Sequence, residues 1–189
     1  MILKTAREEM VLRKRGTCVT DTEEMFALIE RNRSFLRVFL SWIDKTPTAQ
    51  KLQETQVLWD EGQNLAFYMI YNEKIIGDVS FVKIDETLKM AEVGYFMDQA
   101  YCGNGLMTEA VRTLIKYGFE EMGLNKIVIK SATTNIPSLK IPKRLGMHFE
   151  GTIRANQIVN GEFLDHDQYS MLRSEYELIE DWSNFKNGK

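Results

Sequence analysis

Cysteine, histidine and proline are scarce: two, two and three respectively in 189 residues. Cys18 and Cys102 stand far apart, and neither shares a metal-ligand spacing with His148 or His166, so no metal site is expected. Charge of one sign is also lacking. The formal net charge of -3 argues against a nucleic-acid surface and leans only weakly toward cationic partners. No apolar run approaches membrane-spanning length, and Met1–Thr5 has no charged-then-apolar leader pattern. A cytoplasmic chain with reduced thiols and no membrane partner is the expectation. Low-complexity linkers and internal repeats are absent too, so residues 1–189 read as a single domain.

What is present divides at about residue 62. A strand over Met10–Arg13 precedes a helix opening at Thr20 or Asp21, with Asp21 or Thr22 as its cap and Met25, Leu28 and Ile29 at helical spacing. A second helical stretch is expected to carry Phe35, Leu36, Phe39, Leu40 and Trp42, and a third to run from Thr48 to Glu61 before Gly62. Arg31 and Arg33 read as a solvated helix face. Leu65–Tyr71, Ile75–Val82 and Ala91–Met97 then form three strands with short turns, an antiparallel meander. The remainder alternates: a helix over about 104–122, a strand at Lys126–Ser131, a short helix near Ser138–Leu145, and a hairpin turned by Asn160-Gly161. Meander followed by strand–helix–strand predicts an α+β or mixed α/β sheet with one parallel crossover.

The segment Cys102-Gly103-Asn104-Gly105-Leu106-Met107-Thr108 carries the clearest chemistry. It follows a strand and opens an amphipathic helix, so unbonded N–H groups gather at the positive end of the helix dipole. Glycines at 103 and 105 let a bulky anion approach, which suits phosphate. A Walker loop is excluded because no lysine follows the second glycine, and a dinucleotide fingerprint because position 108 is Thr. On spacing alone, plain turn chemistry explains the two glycines equally well.

Ala91-Glu92-Val93-Gly94-Tyr95-Phe96 together with Gly103–Ala110 resembles the central motif of the GNAT acetyltransferases, in particular their RimJ/RimL branch, which acetylates protein N-termini including those of ribosomal proteins. Asn135-Ile136-Pro137-Ser138, Lys143–Met147, Glu150-Gly151, Asn160-Gly161, Asp165 and Tyr169–Leu172 continue the similarity in order, over about residues 8–176. The resemblance implies the GNAT fold, a mostly antiparallel mixed sheet flanked by helices and splayed between the fourth and fifth strands. It implies acetyl-CoA as co-substrate, without a metal. The pantetheine arm would lie in the splay against the backbone of Phe96 and Met97, and the pyrophosphate on Gly103, Asn104, Gly105, Leu106, Met107 and Thr108. Asn135 would touch the pantetheine, and Ser138 would donate a hydrogen bond to the departing thiolate. Cys102 stands where relatives usually carry Arg or Gln, which removes one side-chain partner for phosphate.

Amine acetylation needs an uncharged nitrogen. An α-amine, with a pKa of about 7.7–8.0, meets this more readily than a lysine near 10.4. Glu92, on the third meander strand, is the first candidate base, and an ordinary sheet carboxylate is the competing description. A glutamate assigned as base in some relatives corresponds to Gln157 here, which favours proton removal through water. Ser138 also suits a helix cap, a role compatible with catalysis. Asp165 is assigned to hairpin order or a cationic substrate end rather than to proton transfer. Phe35, Trp42, Phe81 and Tyr95 are candidates for core or acceptor cleft. Acetyl transfer to a protein N-terminus is therefore expected, with a small-amine acetyltransferase and a non-catalytic acyl-CoA-binding module as alternatives; homodimerisation is left open.

Overall fold

In the computed structural model, which describes residues 1–16, 18–62, 64–179 and 182, eight strands and five α-helices follow one another among the described residues. They are β1 (Ile2–Lys4), β2 (Met10–Lys14), α1 (Val19–Leu36), α2 (Ala49–Asp60), β3 (Leu65–Tyr71), β4 (Lys74–Asp85), β5 (Met90–Met97), α3 (Leu106–Glu120), β6 (Lys126–Ala132), α4 (Ile136–Arg144), β7 (His148–Val159), β8 (Glu162–Leu172) and α5 (Arg173–Tyr176). The strands form one sheet in the order β1-β2-β3-β4-β5-β6-β8-β7. Every neighbouring pair is antiparallel except β5–β6, the pair joined through α3. The mixed, mostly antiparallel sheet is the architecture the sequence predicts.

The parallel pair is short. Partners run from Met90↔Lys126 to Val93↔Ile129 and then stop, although β5 continues to Met97 and β6 to Ala132. Each strand is held by its other neighbour over this stretch: Met97 by Gly77 on β4, and Ala132 by His166 on β8. Two strands gripped by separate partners diverge, and the sheet splays as expected. By count the splay lies between the fifth and sixth strands, because β1 escapes sequence patterning.

Alternation on β5 divides its side chains between two layers. Gly94 and Phe96 face the same side as their partners Ser80 and Asp78, beneath α1 and α2. Val93, Tyr95 and Met97 face the opposite side with Val79 and Phe81, against the core of α3. Leu106, Val111, Leu114, Ile115 and Phe119 supply the α3 side of that core, and Met25, Leu28, Ile29 and Leu52 the other. Burial of each such side chain contributes about 1.5–3 kcal/mol.

Several boundaries differ from expectation. α1 starts at Val19 after Cys18, which makes no side-chain cap; Thr22 instead bonds back to the Cys18 carbonyl at 3.3 Å. The helix expected over Phe35–Trp42 does not form. α1 runs on to Leu36, and the chain then turns because the Arg33 guanidinium reaches forward to the carbonyls of Ile43 (2.5 Å) and Thr46 (3.0 Å). Arg33 is therefore a staple rather than a solvated charge. α3 begins at Leu106, and α4 at Ile136 with Asn135 as its cap, so Ser138 sits inside the helix. Asn160 and Gly161, at φ 53 and 85, turn the last hairpin as predicted. No helix among the described residues is long and apolar enough to cross a membrane.

Candidate functional site

The loop before α3 has the backbone geometry of an anion cradle. Gly105 adopts φ 76 at the helix start with no side chain capping the first turn, so the N–H groups of Leu106, Met107 and Thr108 lack helical partners. Gly103, at φ 86, would have open space around any Cβ. From below, the loop is pinned by α1: Asp98 Oδ2 pairs with Arg31 Nη2 at 2.7 Å, and Asn32 Oδ1 accepts the Gln99 N–H at 3.0 Å. Arg31 is exposed, as expected of a solvated helix face, and its ion pair also ties the loop to α1. The segment after β1 supplies what Cys102 lacks: Arg7 Nη2 donates to the Asn104 carbonyl at 2.9 Å, and Ala6 N donates to Glu109 on α3 at 2.8 Å. No local pattern marks Arg7, because its contact spans 97 residues. Cys102 itself is exposed. Desolvation and the nearby Asp98 charge push its thiol pKa up, which weakens any nucleophilic role.

Two cavities meet at the splay. One, of about 350 Å³, lies between β5 and β6 and is lined by Glu92, Tyr95, Lys130, Asn135, Ser138 and His166 among others. The second, of about 280 Å³, lies on the α1/α2 face, with Arg15, Trp42, Trp59, Asp78, Ser80 and Phe96 in its walls. Leu40, Gly94 and Tyr95 belong to both. Of the four candidate aromatics, Trp42 and Tyr95 face cavities, Phe81 is wholly buried in the core and Phe35 is 40% exposed.

Where the cavities join, Tyr95 Oη lies 3.0 Å from Ser138 Oγ and 3.3 Å from the Ser138 carbonyl. The cap expected of Ser138 belongs to Asn135, whose Oδ1 accepts the Ser138 N–H at 3.4 Å. The serine hydroxyl is left to the tyrosine. Burial pushes the Tyr95 pKa up to about 12 against the opposing hydrogen bond with Ser138, so this phenol keeps its proton across the neutral range. The tyrosine was legible as part of the β5 alternation but not as Ser138's partner.

Glu92 lines the first cavity, but its carboxylate is held by Lys130 at 2.7 Å. Gln157 is also in that wall, beyond a bulge in β7. His166 is buried at 9% exposure, with Asn156 Nδ2 3.1 Å from its Nδ1 and no hydrogen-bond partner for its Nε2 among the described residues. Burial lowers its pKa from the ordinary 6.5, against the opposing charge of Glu92, which keeps the ring neutral at neutral pH. Asp165 orders the hairpin, its Oδ1 accepting the Ala155 N–H at 2.8 Å. Among the described residues no group of three or more His, Cys, Asp or Glu is placed to hold a metal.

A splay offers its open backbone to an extended ligand, and unpaired N–H groups at the start of α3 suit one that carries phosphate. An acyl-CoA meets both demands. These features define the class of CoA-dependent acyltransferases. Residues 12–148 match the acetyltransferase (GNAT) domain, and the chain belongs to that family. It is 33% identical over 167 residues to the probable N-acetyltransferase YjcK of Bacillus subtilis (strain 168), covering 84% of this chain and 92% of that protein. Identity to the putative ribosomal N-acetyltransferase YdaF of the same organism is 31% over 162 residues, 83% and 88% of the two chains. The solved RimL ribosomal L7/L12 alpha-N-protein acetyltransferase in complex with coenzyme A shares the fold, with a TM-score of 0.85 at 20% identity, over 93% of this chain and 99% of that one.

Proposed function

We propose that the protein transfers the acetyl group of acetyl-CoA to a primary amine, by preference the α-amine of a protein N-terminus, with ribosomal proteins among the acceptors. The observation that carries this is the Tyr95–Ser138 hydroxyl pair at the point where the two cavities meet. Bound in the splay, acetyl-CoA supplies the thioester that is attacked. Its pyrophosphate is held by the N–H groups of Gly103 to Thr108, with Arg7 adding positive charge, and its pantetheine runs along the backbone of Phe96 and Met97 beside Asn135. The acceptor enters from the α1/α2 face. Its neutral nitrogen attacks the carbonyl carbon, the C–S bond breaks, and the sulfur takes the electron pair. Ser138 and Tyr95 donate hydrogen bonds to that sulfur. The ammonium proton leaves through water toward His166 or Glu92, which fits the absence of a carboxylate at Gln157. Holding the amine in line supplies much of the rate. In this scheme the enzyme works in the cytoplasm, as a monomer or homodimer, without nucleic acid or membrane.

The test follows thiol release from acetyl-CoA against a panel of N-terminal peptides, polyamines and small amines. Release with peptides supports the proposal, and release with polyamines alone makes the protein a small-amine acetyltransferase. Tight acetyl-CoA binding without release to any acceptor would leave an acyl-CoA-binding module.

A further inference from the structure

The cavity on the α1/α2 face is larger and more apolar than a small acceptor needs. Its volume is about 280 Å³, and Met25, Ile29, Leu52, Trp42, Trp59 and Phe96 are among the residues of its wall. Trp42 meets Phe96 edge to face with ring centroids 5.4 Å apart. Such walls favour an aromatic guest, which adds offset or edge contacts to the gain from burial. A serine or alanine side chain would leave this surface wet.

The floor is polar and already charged. Asp78 is 4% exposed, and its Oδ2 lies 3.4 Å from Arg15 Nη1. Arg15 is bound more closely to Asp60 on α2, at 2.7 Å, and stacks over Trp59 at 5.7 Å. Each charge excludes one kind of guest. An anionic tip would meet Asp78, and a cationic tip would be desolvated beside Arg15. A neutral group that donates a hydrogen bond satisfies the floor, because a carboxylate accepts several hydrogen bonds and that of Asp78 is met by one long contact with Arg15 and by the Ser80 hydroxyl.

We propose that this cavity selects acceptors whose reactive amine is flanked by a bulky aromatic side chain with a neutral hydrogen-bond donor at its far end, as in an N-terminal tyrosine or tryptophan. This rests on the acetyl-transfer function proposed above and names its acceptor class. The cavity shares Gly94 and Tyr95 with the donor cavity, so a side chain seated on Asp78 leaves its own α-amine at the junction where Tyr95 and Ser138 stand. Gly94 keeps that junction tight: a Cβ there would meet Val82 Cγ1 at 2.5 Å.

The experiment uses peptides identical except for Tyr, Phe, Leu or Ser at the first position, and measures kcat/KM with acetyl-CoA. Tyr is expected to exceed Ser by about tenfold or more, and Phe by about fivefold, the worth of one hydrogen bond. Asp78→Leu, which removes the acceptor, should bring the Tyr-to-Phe ratio close to one, a change that a merely structural role for Asp78 would not produce. Should that variant fail to fold, Thr55→Phe, a half-buried position in the cavity wall, should bring the Tyr-to-Ser ratio toward one. In parallel, tyrosinamide and serinamide are titrated against the fluorescence of Trp42 and Trp59. Peptides starting with Ser acetylated as well as those starting with Tyr would overturn the aromatic preference while leaving acetyl transfer intact. Tyrosinamide quenching without acetylation of any peptide would support the cavity and overturn the transfer. Neither quenching nor acetylation would overturn both.

Discussion

Tyr95 and Ser138 are brought together by two elements with no sequence proximity, and their division of labour follows from acidity. A thiol near pKa 8.5 leaves as a weaker base than a phenolate whose parent phenol sits at about 12. In the proposed mechanism Tyr95 therefore donates a hydrogen bond to the thiolate and keeps its proton. Tyr95→Phe and Ser138→Ala are each expected to lower kcat by about 10²-fold, with the dissociation constant of acetyl-CoA nearly unchanged. Because each hydroxyl orients the other, the double variant should lose less than the product of the two. The pH profile adds a second check. Burial raises the Tyr95 pKa, so the donor form persists well above neutrality, and kcat should climb as the acceptor α-amine deprotonates near 8 with no falling limb before about pH 11. Loss of rate between pH 9 and 10 would mean that a donor of ordinary acidity controls the step.

Elements show what the sequence carried and what it could not. The glycine loop, the meander, the crossover and the Asn160-Gly161 hairpin were legible because each has a local cause: a turn residue, a period, a cap. The end of α1 was not, because the turn after Leu36 depends on Arg33 reaching the carbonyls of Ile43 and Thr46. The cradle divides the same way. Its backbone was legible from Gly103 and Gly105, whereas Arg7 arrives from a segment with no periodicity, anchored to α3 through Ala6 and Glu109. Arg7→Gln removes a charge from the rim of the cradle without disturbing α3. The KM for acetyl-CoA should rise about fivefold, in the range of an exposed charge-assisted contact, with kcat held. The affinity should also lose part of its salt dependence. An unchanged KM at low salt would show that the backbone N–H groups alone hold the pyrophosphate.

Across the whole molecule, two carboxylates should give the stability opposite slopes against pH. Glu150 fastens the second half of the sheet: it accepts from Lys126 on β6, and from Gln168 and Ser170 on β8. Those bonds, that of Lys126 foremost, lower its pKa from 4.5 to about 2 against the cost of burial. A depressed carboxylate contributes stability that is present above its unfolded value and lost as pH falls through the folded one. The loss therefore falls between about pH 4.5 and 2, and its size is about 1–2 kcal/mol once solvent screening at this part-exposed site is allowed for. Asp78 does the reverse. Burial outweighs Arg15 and Ser80, with Asp60 adding repulsion, and raises its pKa from 3.8 to about 6. Its folded form binds the proton more tightly than the unfolded chain does, so its contribution improves as pH falls from about 6 toward 3.8 and is least favourable above 6. Thermal unfolding followed from pH 8 to 3 should accordingly show a shallow gain on entering the acid range and a steeper fall below pH 4.5. Glu150→Gln should remove most of that fall, and Asp78→Asn most of the gain. If the wild-type midpoint declines steadily from pH 7 and Asp78→Asn follows the same line, the Asp78 carboxylate is compensated by Arg15 despite their 3.4 Å separation, and the floor of the acceptor cavity is a closed ion pair rather than an acceptor in wait of a donor.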